Sequence, residues 1–296
     1  MNTATFIALL GITAAIAWGI SDFFAAHSAK KVGPILAATV INTVSTIIFS
    51  LTFVVFFRDH TALTASGFYY SIAAGAVLTV ATALFFTGLQ AGPVSIVSPL
   101  SSTYPLVTTL VAVVLFGAHL SIREVSGILL TCGGIVAASG LLNTSKSERK
   151  LTGGIRFALA TAVLWGIGWG LLAQAINQID WQLASLLSSV TAALTLILLL
   201  PFIKGLESSS WQTIKVALKS RYVLLAAVIQ LIGSTALEIG ISRSRDDNGA
   251  VVTAISAAYP ILTVFLALRY FKERVAFISI VGAILGIVGV VILSLG

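Results

Sequence analysis

Apolar residues in this chain come in long unbroken runs, and polar residues gather in the gaps between them. Ten runs can be marked, at about 4–26, 34–57, 68–89, 94–117, 122–142, 153–176, 182–203, 222–242, 249–270 and 276–295. Each is long enough to cross about 30 Å of hydrocarbon as a helix. Inside lipid a segment must satisfy its own backbone polar groups, which selects helices. The two-residue alternation of a membrane barrel is absent. The pattern predicts an all-α integral membrane protein of ten transmembrane helices, joined by loops too short for a soluble domain.

The runs also repeat. Residues 97–116, VSPLSSTYPLVTTLVAVVLF, and 252–271, VTAISAAYPILTVFLALRYF, agree at seven of twenty positions, and Tyr104-Pro105 matches Tyr259-Pro260. Ala17-Trp18-Gly19-Ile20 in the first run is echoed by Leu164-Trp165-Gly166-Ile167 in the sixth. The glycine-rich fifth and tenth runs correspond as well, SGILLTCGGIVAASGLL beside ISIVGAILGIVGVVILS. The chain therefore divides into a five-helix repeat at 1–142, a charged linker at 143–152 and a second five-helix repeat at 153–296. Five crossings bring the second half in from the opposite face. The two halves are then inverted repeats around a central cavity, a design shared by many secondary transporters.

Composition agrees with a lipid solvent. Apolar residues make up 58% of the chain and charged residues 9%, against roughly 25% charged in a soluble domain. The net charge of +7 could suggest nucleic acid, but in a membrane protein it marks cytoplasmic loops. Thirteen of the 17 Lys and Arg residues fall in the odd-numbered loops. That bias places those loops inside the cell and both termini outside. The expected setting is the cell membrane, crossed many times, with no nucleic-acid partner. The first run is too long for a cleaved signal, and no Lys or Arg precedes it. Cys132, alone in an apolar run, reads as a packing residue. His27, His60 and His119 stand at helix ends, and no HExxH motif or Cys/His cluster occurs. Neither a metal nor another cofactor is expected.

Candidate chemistry lies within the runs. Pro105 and Pro260 fall near the middle of the fourth and ninth, with Pro99 shortly before the first of them, and each removes a helical hydrogen bond and kinks its helix. The freed carbonyls need partners, and Ser98, Ser101, Ser102, Thr103 and Ser256 on the preceding turns can supply hydroxyls. Kinks at mid-depth suit a flexing cavity wall that includes Tyr104 and Tyr259, although static kinks used for packing give the same pattern. Trp18, Trp165 and Trp169 lie too deep for an interfacial belt and offer flat apolar faces, each with one donor, for a cavity or for a neighbouring helix. Trp181 and Trp211 read as interfacial anchors. Asp22 sits four residues after Trp18 on nearly the same helix face, and Glu238 lies in the eighth run. Intramembrane acids are costly and usually functional. Each could carry a coupling proton or bind a substrate amine. The alternative partners are Lys30 or Lys31 for Asp22 and Arg243 or Arg245 for Glu238. Asn42, Gln90, Gln174 and Gln230 are weaker hydrogen-bonding candidates. Gly282 and Gly286 permit close helix approach, within one chain or between two.

These features resemble the EamA family of the drug/metabolite transporter superfamily. The resemblance rests on the two Trp-Gly pairs, on the fourth run of each half (SPLSSTYPLVTTLVAVVLFGAHLS and TAISAAYPILTVFLALRYFKERVA) and on the glycine-rich fifth runs, and it covers the whole chain. It implies ten helices around a cavity, alternating access, and termini in the cytoplasm, opposite to the loop-charge reading. The family usually has a Glu after the fourth run of each half. Glu273 fits that pattern and Ala118 departs from it.

The function expected from the sequence is secondary active transport of a small-molecule substrate, as an exporter, by a monomer or homodimer in the lipid bilayer with protons as a coupling partner. No Lys or Arg lies deep in any run, which disfavours phosphorylated solutes. Neutral, zwitterionic or amine-bearing solutes fit better, and amino acids lead because the resemblance includes amino-acid exporters. A proton-independent uniporter or exchanger of sugars or other metabolites, and multidrug efflux, are the transport alternatives. A receptor or scaffold would need a ligand domain that the loops cannot hold. An intramembrane enzyme would need converging catalytic groups, a channel a charged ring or filter loop, and an ATP-driven pump a GxxxxGK[ST] loop.

Overall fold

Long apolar runs become helices whose large side chains face outward and whose small side chains face one another. The computed structural model describes residues 3–57, 63–92, 94–138, 149–199, 211–244, 249–271 and 277–294. Thirteen helices lie among the described residues: α1 Thr3–Val32, α2 Pro34–Phe56, α3 Ala65–Ala91, α4 Val94–Ser101, α5 Tyr104–Phe116, α6 Ile122–Ala138, α7 Arg149–Gln178, α8 Trp181–Leu199, α9 Trp211–Lys219, α10 Arg221–Arg243, α11 Ala250–Ser256, α12 Pro260–Phe271 and α13 Phe277–Ser294. Among the described residues, seven helical spans are long and apolar enough to cross a membrane. With so many apolar helices the chain is a multi-pass membrane protein. His60, Arg245 and Glu273, singled out in the sequence, lie outside the described residues, as does the 143–148 part of the linker. Helix α7 begins at Arg149, inside the segment expected to be linker.

The fourth and ninth runs are not single kinked helices. Each is broken. α4 stops at Ser101 and α5 starts at Tyr104, and α11 stops at Ser256 and α12 starts at Pro260. Pro105 and Pro260 therefore sit in the first turn of a new helix, where the missing N–H costs nothing and the fixed φ is already helical. Pro99 stays inside α4. At both breaks the backbone tightens to bonds spanning three residues, Thr103 N–H to Leu100 O (3.4 Å) and Leu106 N–H to Thr103 O (3.1 Å) in one, Tyr259 N–H to Ser256 O (3.2 Å) and Ile261 N–H to Ala258 O (3.1 Å) in the other.

Lipid is as apolar as leucine, so close van der Waals approach has to hold the helices together. Helix α1 buries Ala8, Gly11, Ala14 and Ala17 at three-residue spacing, while Leu9, Ile12 and Ile16 remain exposed on its outer side. The most extensive pairings are α3 with α7, α6 with α13 and α1 with α10. Each has a counterpart in the other half, α3·α7 matching α10·α1 and α5·α7 matching α12·α1, while α2·α8 and α6·α13 pair equivalent helices with each other. The α6·α13 crossing settles where the glycine pair acts. Gly134 lies against the backbone of Gly282 and Gly286, and Gly127 against Leu293 and Gly289, all within one chain.

That crossing separates two adjacent glycines. A Cβ added at Gly134 would overlap the Gly286 backbone, whereas one at Gly133 meets nothing within 4 Å. Gly134→Ala is expected to destabilise the protein by about 1–3 kcal/mol, and Gly133→Ala to leave stability unchanged or slightly raised. Thermal unfolding in detergent reads the difference, and equal midpoints would contradict the packing.

Candidate functional site

Six helices turn one face each toward a common cavity, and the faces follow helical spacing. Trp18, Ser21, Asp22 and Ala25 come from α1, Asn42, Ser45, Thr46 and Phe49 from α2, and Ser185, Ser188, Ser189 and Ala192 from α8. All three sets have the spacing i, i+3, i+4, i+7, the stripe of one helix face. Helix α3 offers Leu78, Thr79, Thr82, Phe85 and Phe86, and α10 offers Gln230, Leu231, Ser234 and Glu238, so that all but Phe85 share the spacing i, i+1, i+4, i+8. Trp165, Trp169 and Leu172 of α7 complete the wall. The cavity has a volume of about 160 Å³, enough for a small organic molecule and far too little for a macromolecule. Among the described residues, no Lys, Arg or His lines it.

The middle of the cavity is aromatic, and it is built twice. The Trp18 ring stands edge-on to Tyr259 at 6.1 Å, and the Trp165 ring edge-on to Tyr104 at 6.0 Å. Edge-to-face geometry lets the positive ring edge meet the negative face. The glycine after each tryptophan allows the approach. A Cβ on Gly19 would lie 2.8 Å from Tyr259 O, and one on Gly166 2.8 Å from Tyr104 O. Thr263 Oγ1 donates to Gly19 O, and Thr108 Oγ1 to Gly166 O, both at 3.2 Å. Trp169 joins from the side, its ring 5.6 Å from Trp18.

Both tyrosines are buried, and each reaches across to the other half's broken helix. The Tyr104 hydroxyl lies 2.9 Å from Ser256 Oγ and 3.4 Å from Thr253 O. The Tyr259 hydroxyl donates to Ser98 O at 3.4 Å. Ser98 Oγ in turn donates to Asp22 Oδ2 at 3.2 Å. A short chain of polar contacts thus runs from the Asp22 carboxylate through Ser98 of α4 to Tyr259 at the opposite break.

Of the residues expected at a substrate cavity, Trp18, Asp22, Asn42, Tyr104, Trp165, Trp169, Gln230, Glu238 and Tyr259 line it. Ser98, Ser101, Ser102 and Ser256 do not. They are fully buried behind the wall, where Ser102 Oγ donates to Pro99 O and Ser256 Oγ to Thr253 O, both at 2.8 Å. Beside the breaks Ser102 and Ser256 turn to the backbone, while Ser98 Oγ turns to Asp22. Asn42 donates to Ala38 O on its own helix, and Gln90 and Gln174 lie outside the cavity lining. Lys30, Lys31 and Arg243 also stay out of the lining. Cys132 is buried with a free thiol. Trp181 packs against Phe49 and Phe57. The hydroxyl stripes of α2 and α8 were missed from the sequence, although their repeated i, i+3, i+4, i+7 spacing was there to be read.

The two crossed tyrosines are unequal. Removing the Tyr104 hydroxyl breaks a 2.9 Å contact between buried groups, while the Tyr259 bond is longer. Tyr104→Phe is expected to cost about 1 kcal/mol and Tyr259→Phe less, read as unfolding midpoints in detergent. The reverse order would mean that Ser256 is not the partner of Tyr104.

Comparison with known proteins bears on what such a cavity serves. The family model described as the EamA-like transporter family matches residues 5–140 and 152–295. An uncharacterized transporter of Archaeoglobus fulgidus is 26% identical over 211 residues, covering 71% of this chain and 70% of its own. An uncharacterized protein of Methanocaldococcus jannaschii is 28% identical over 143 residues, covering 47% of this chain and 98% of its own. A solved crystal structure superposes over 98% of both chains with a TM-score of 0.72 at 19% identity, which shows a shared fold. Matched across both halves, this chain belongs to the EamA-like transporter family, within the drug/metabolite transporter superfamily, and is a membrane transporter.

Proposed function

We propose that this protein is a secondary active exporter of the cell membrane that moves small amine-bearing metabolites by alternating access. Ten crossings form two inverted five-helix halves that rock about the shared cavity. The observation that carries this reading is the lining itself, which among the described residues holds two carboxylates, three tryptophans and no basic side chain. Two acids in a low-dielectric site need positive charge beside them, and protons or a cationic solute can bring it. A free amino acid fits less well than a plain amine, because its carboxylate would meet no Lys or Arg.

The inverted arrangement is supported by the matched helix pairings and by contacts between equivalent positions. Thr46 and Ser189, the third residues of their stripes, meet through a 3.2 Å bond from Thr46 Oγ1 to Ser189 O. The Methanocaldococcus jannaschii relative, matched over 98% of its length by about half of this chain, favours a half as the ancestral unit. Rocking needs weak points, and the breaks between α4 and α5 and between α11 and α12 supply them at corresponding places.

Coupling follows from the Asp22 contact. Ser98 Oγ can bond the Asp22 carboxylate only while that oxygen is free to accept. A proton or an ammonium group arriving at Asp22 competes for it. Ser98 belongs to the broken helix, and its carbonyl holds Tyr259 of the other half. Occupancy at one acid is thereby felt at both breaks.

Purified protein in liposomes tests this. Asp22→Asn and Glu238→Gln are each expected to lower proton-gradient-driven amine flux by about tenfold or more. Ser98→Ala is expected to slow flux while amine affinity changes by less than about threefold. Full gradient-driven flux in both acid variants would overturn the coupling role, and amine flux absent from the unaltered protein would overturn the substrate class.

A further inference from the structure

The two acids stand at opposite ends of one cavity. Gly11 of α1 and Gly240 of α10 both face Val252, so they share a level. Further along, Gly233 of α10 faces Trp18 and Ala17 of α1. Numbers rise along one helix as they fall along the other, so α1 and α10 run antiparallel. On this scale Glu238 lies level with about residue 13 of α1, nine residues from Asp22. At 1.5 Å per residue the two Cα levels are about 13 Å apart. Side chains slope toward the N-terminus of their own helix, and in an antiparallel pair that brings the two carboxylates toward each other. The Trp18 contact with Gly233 falls between them, so the separating stretch is aromatic.

Each end also has a polar group able to orient a ligand. Ser98 Oγ bonds Asp22. On the wall shared with Glu238, Ser185 Oγ is buried at 3% exposure and lies beside the Glu238 carboxylate. A hydroxyl that donates to a carboxylate keeps its lone pairs free to accept from an ammonium group. Glu238 itself is only 8% exposed.

We infer that the cavity is built for a linear diamine, with one ammonium group at Asp22, the other at Glu238 and Ser185, and the methylene chain lying along the tryptophans. This rests on the amine-transport reading above and sharpens it. A monoamine compensates one carboxylate and leaves the other dependent on a proton. A dication compensates both and places apolar carbons on apolar rings, whose faces also attract the flanking ammonium groups. A spacing fixed by two rigid helices implies a preferred chain length.

Quenching of tryptophan fluorescence on the purified, full-length protein reads occupancy directly. The probes are ethylenediamine, putrescine, cadaverine and longer homologues, with butylamine as the monoamine control and butanediol as the neutral one. The expected result is an affinity maximum within the diamine series that exceeds butylamine by about tenfold or more. Asp22→Asn and Glu238→Gln should each bring the preferred diamine down to about the butylamine level. Ser185→Ala should weaken the preferred diamine by about threefold or more. Liposome flux of butylamine, measured in parallel, separates the two readings. Butylamine flux with no diamine preference overturns the diamine inference and leaves amine transport standing. Neither binding nor flux of any amine overturns both.

Discussion

Two buried tyrosines, each crossing into the opposite half, hold the structure at the place where it is least helical. A break in a membrane helix leaves backbone groups without partners, and hydrocarbon offers none. The tyrosine hydroxyls reach the carbonyls of Ser98 and Thr253, each six residues before the matching tyrosine. Those carbonyls also accept from the Ser102 and Ala257 N–H groups, so each tyrosine adds a further bond at a break, beside the local ones from Ser102, Thr103 and Ser256. Tyr104 bonds the second half and Tyr259 the first, so each broken helix is held in part by the other repeat. That dependence ties the halves together more specifically than lipid-facing packing could, since apolar helices in lipid have little preference among apolar neighbours.

Much of this was legible in the sequence because lipid imposes simple rules. Run length gave the apolar helices, and repetition of Trp-Gly and Tyr-Pro marked positions that prove to touch each other. Trp18 meets Tyr259 and Trp165 meets Tyr104, so the repeated motifs are the two sides of one contact made twice. What the sequence did not reveal was how far each proline would act. A proline in a helix interior can kink or terminate it, and the outcome depends in part on contacts from the other repeat. The tyrosines that make them lie more than a hundred residues away along the chain. The serines before each proline were assigned to the cavity for the same reason. From sequence alone a hydroxyl near a kink looks equally suited to a ligand or to the backbone.

The hydroxyl stripes show a different blindness. Serine and threonine are ordinary in transmembrane helices and usually bond their own backbone, as Ser45 does with Ile41 O and Thr79 with Gly75 O. Only the recurrence of one spacing on α1, α2 and α8 distinguishes a cavity face from a scattering of polar residues. An aspartate or a tryptophan draws notice singly, whereas serines become informative only as a set.

The acids depart from the symmetry that the rest of the site obeys. Aligning the Trp-Gly pairs puts Trp169 where the first half has Asp22, and aligning the stripes of α3 and α10 puts Phe86 where the second half has Glu238. Each half thus contributes one carboxylate, from a helix whose counterpart contributes an aromatic ring. A scaffold duplicated without further change would have placed its acids in matched pairs, both on α1 and α7 or both on α3 and α10. Here the two acids stand instead at unmatched positions, one from each half. Placing an aromatic ring opposite each acid leaves the matched backbone contacts of the two Trp-Gly and Tyr-Pro pairs unchanged. It also gives the cavity two separated charges with rings between and beside them. The physical consequence is a division of labour, in which matched glycines, threonines and tyrosines keep the two halves interchangeable and the unmatched positions decide what binds between them.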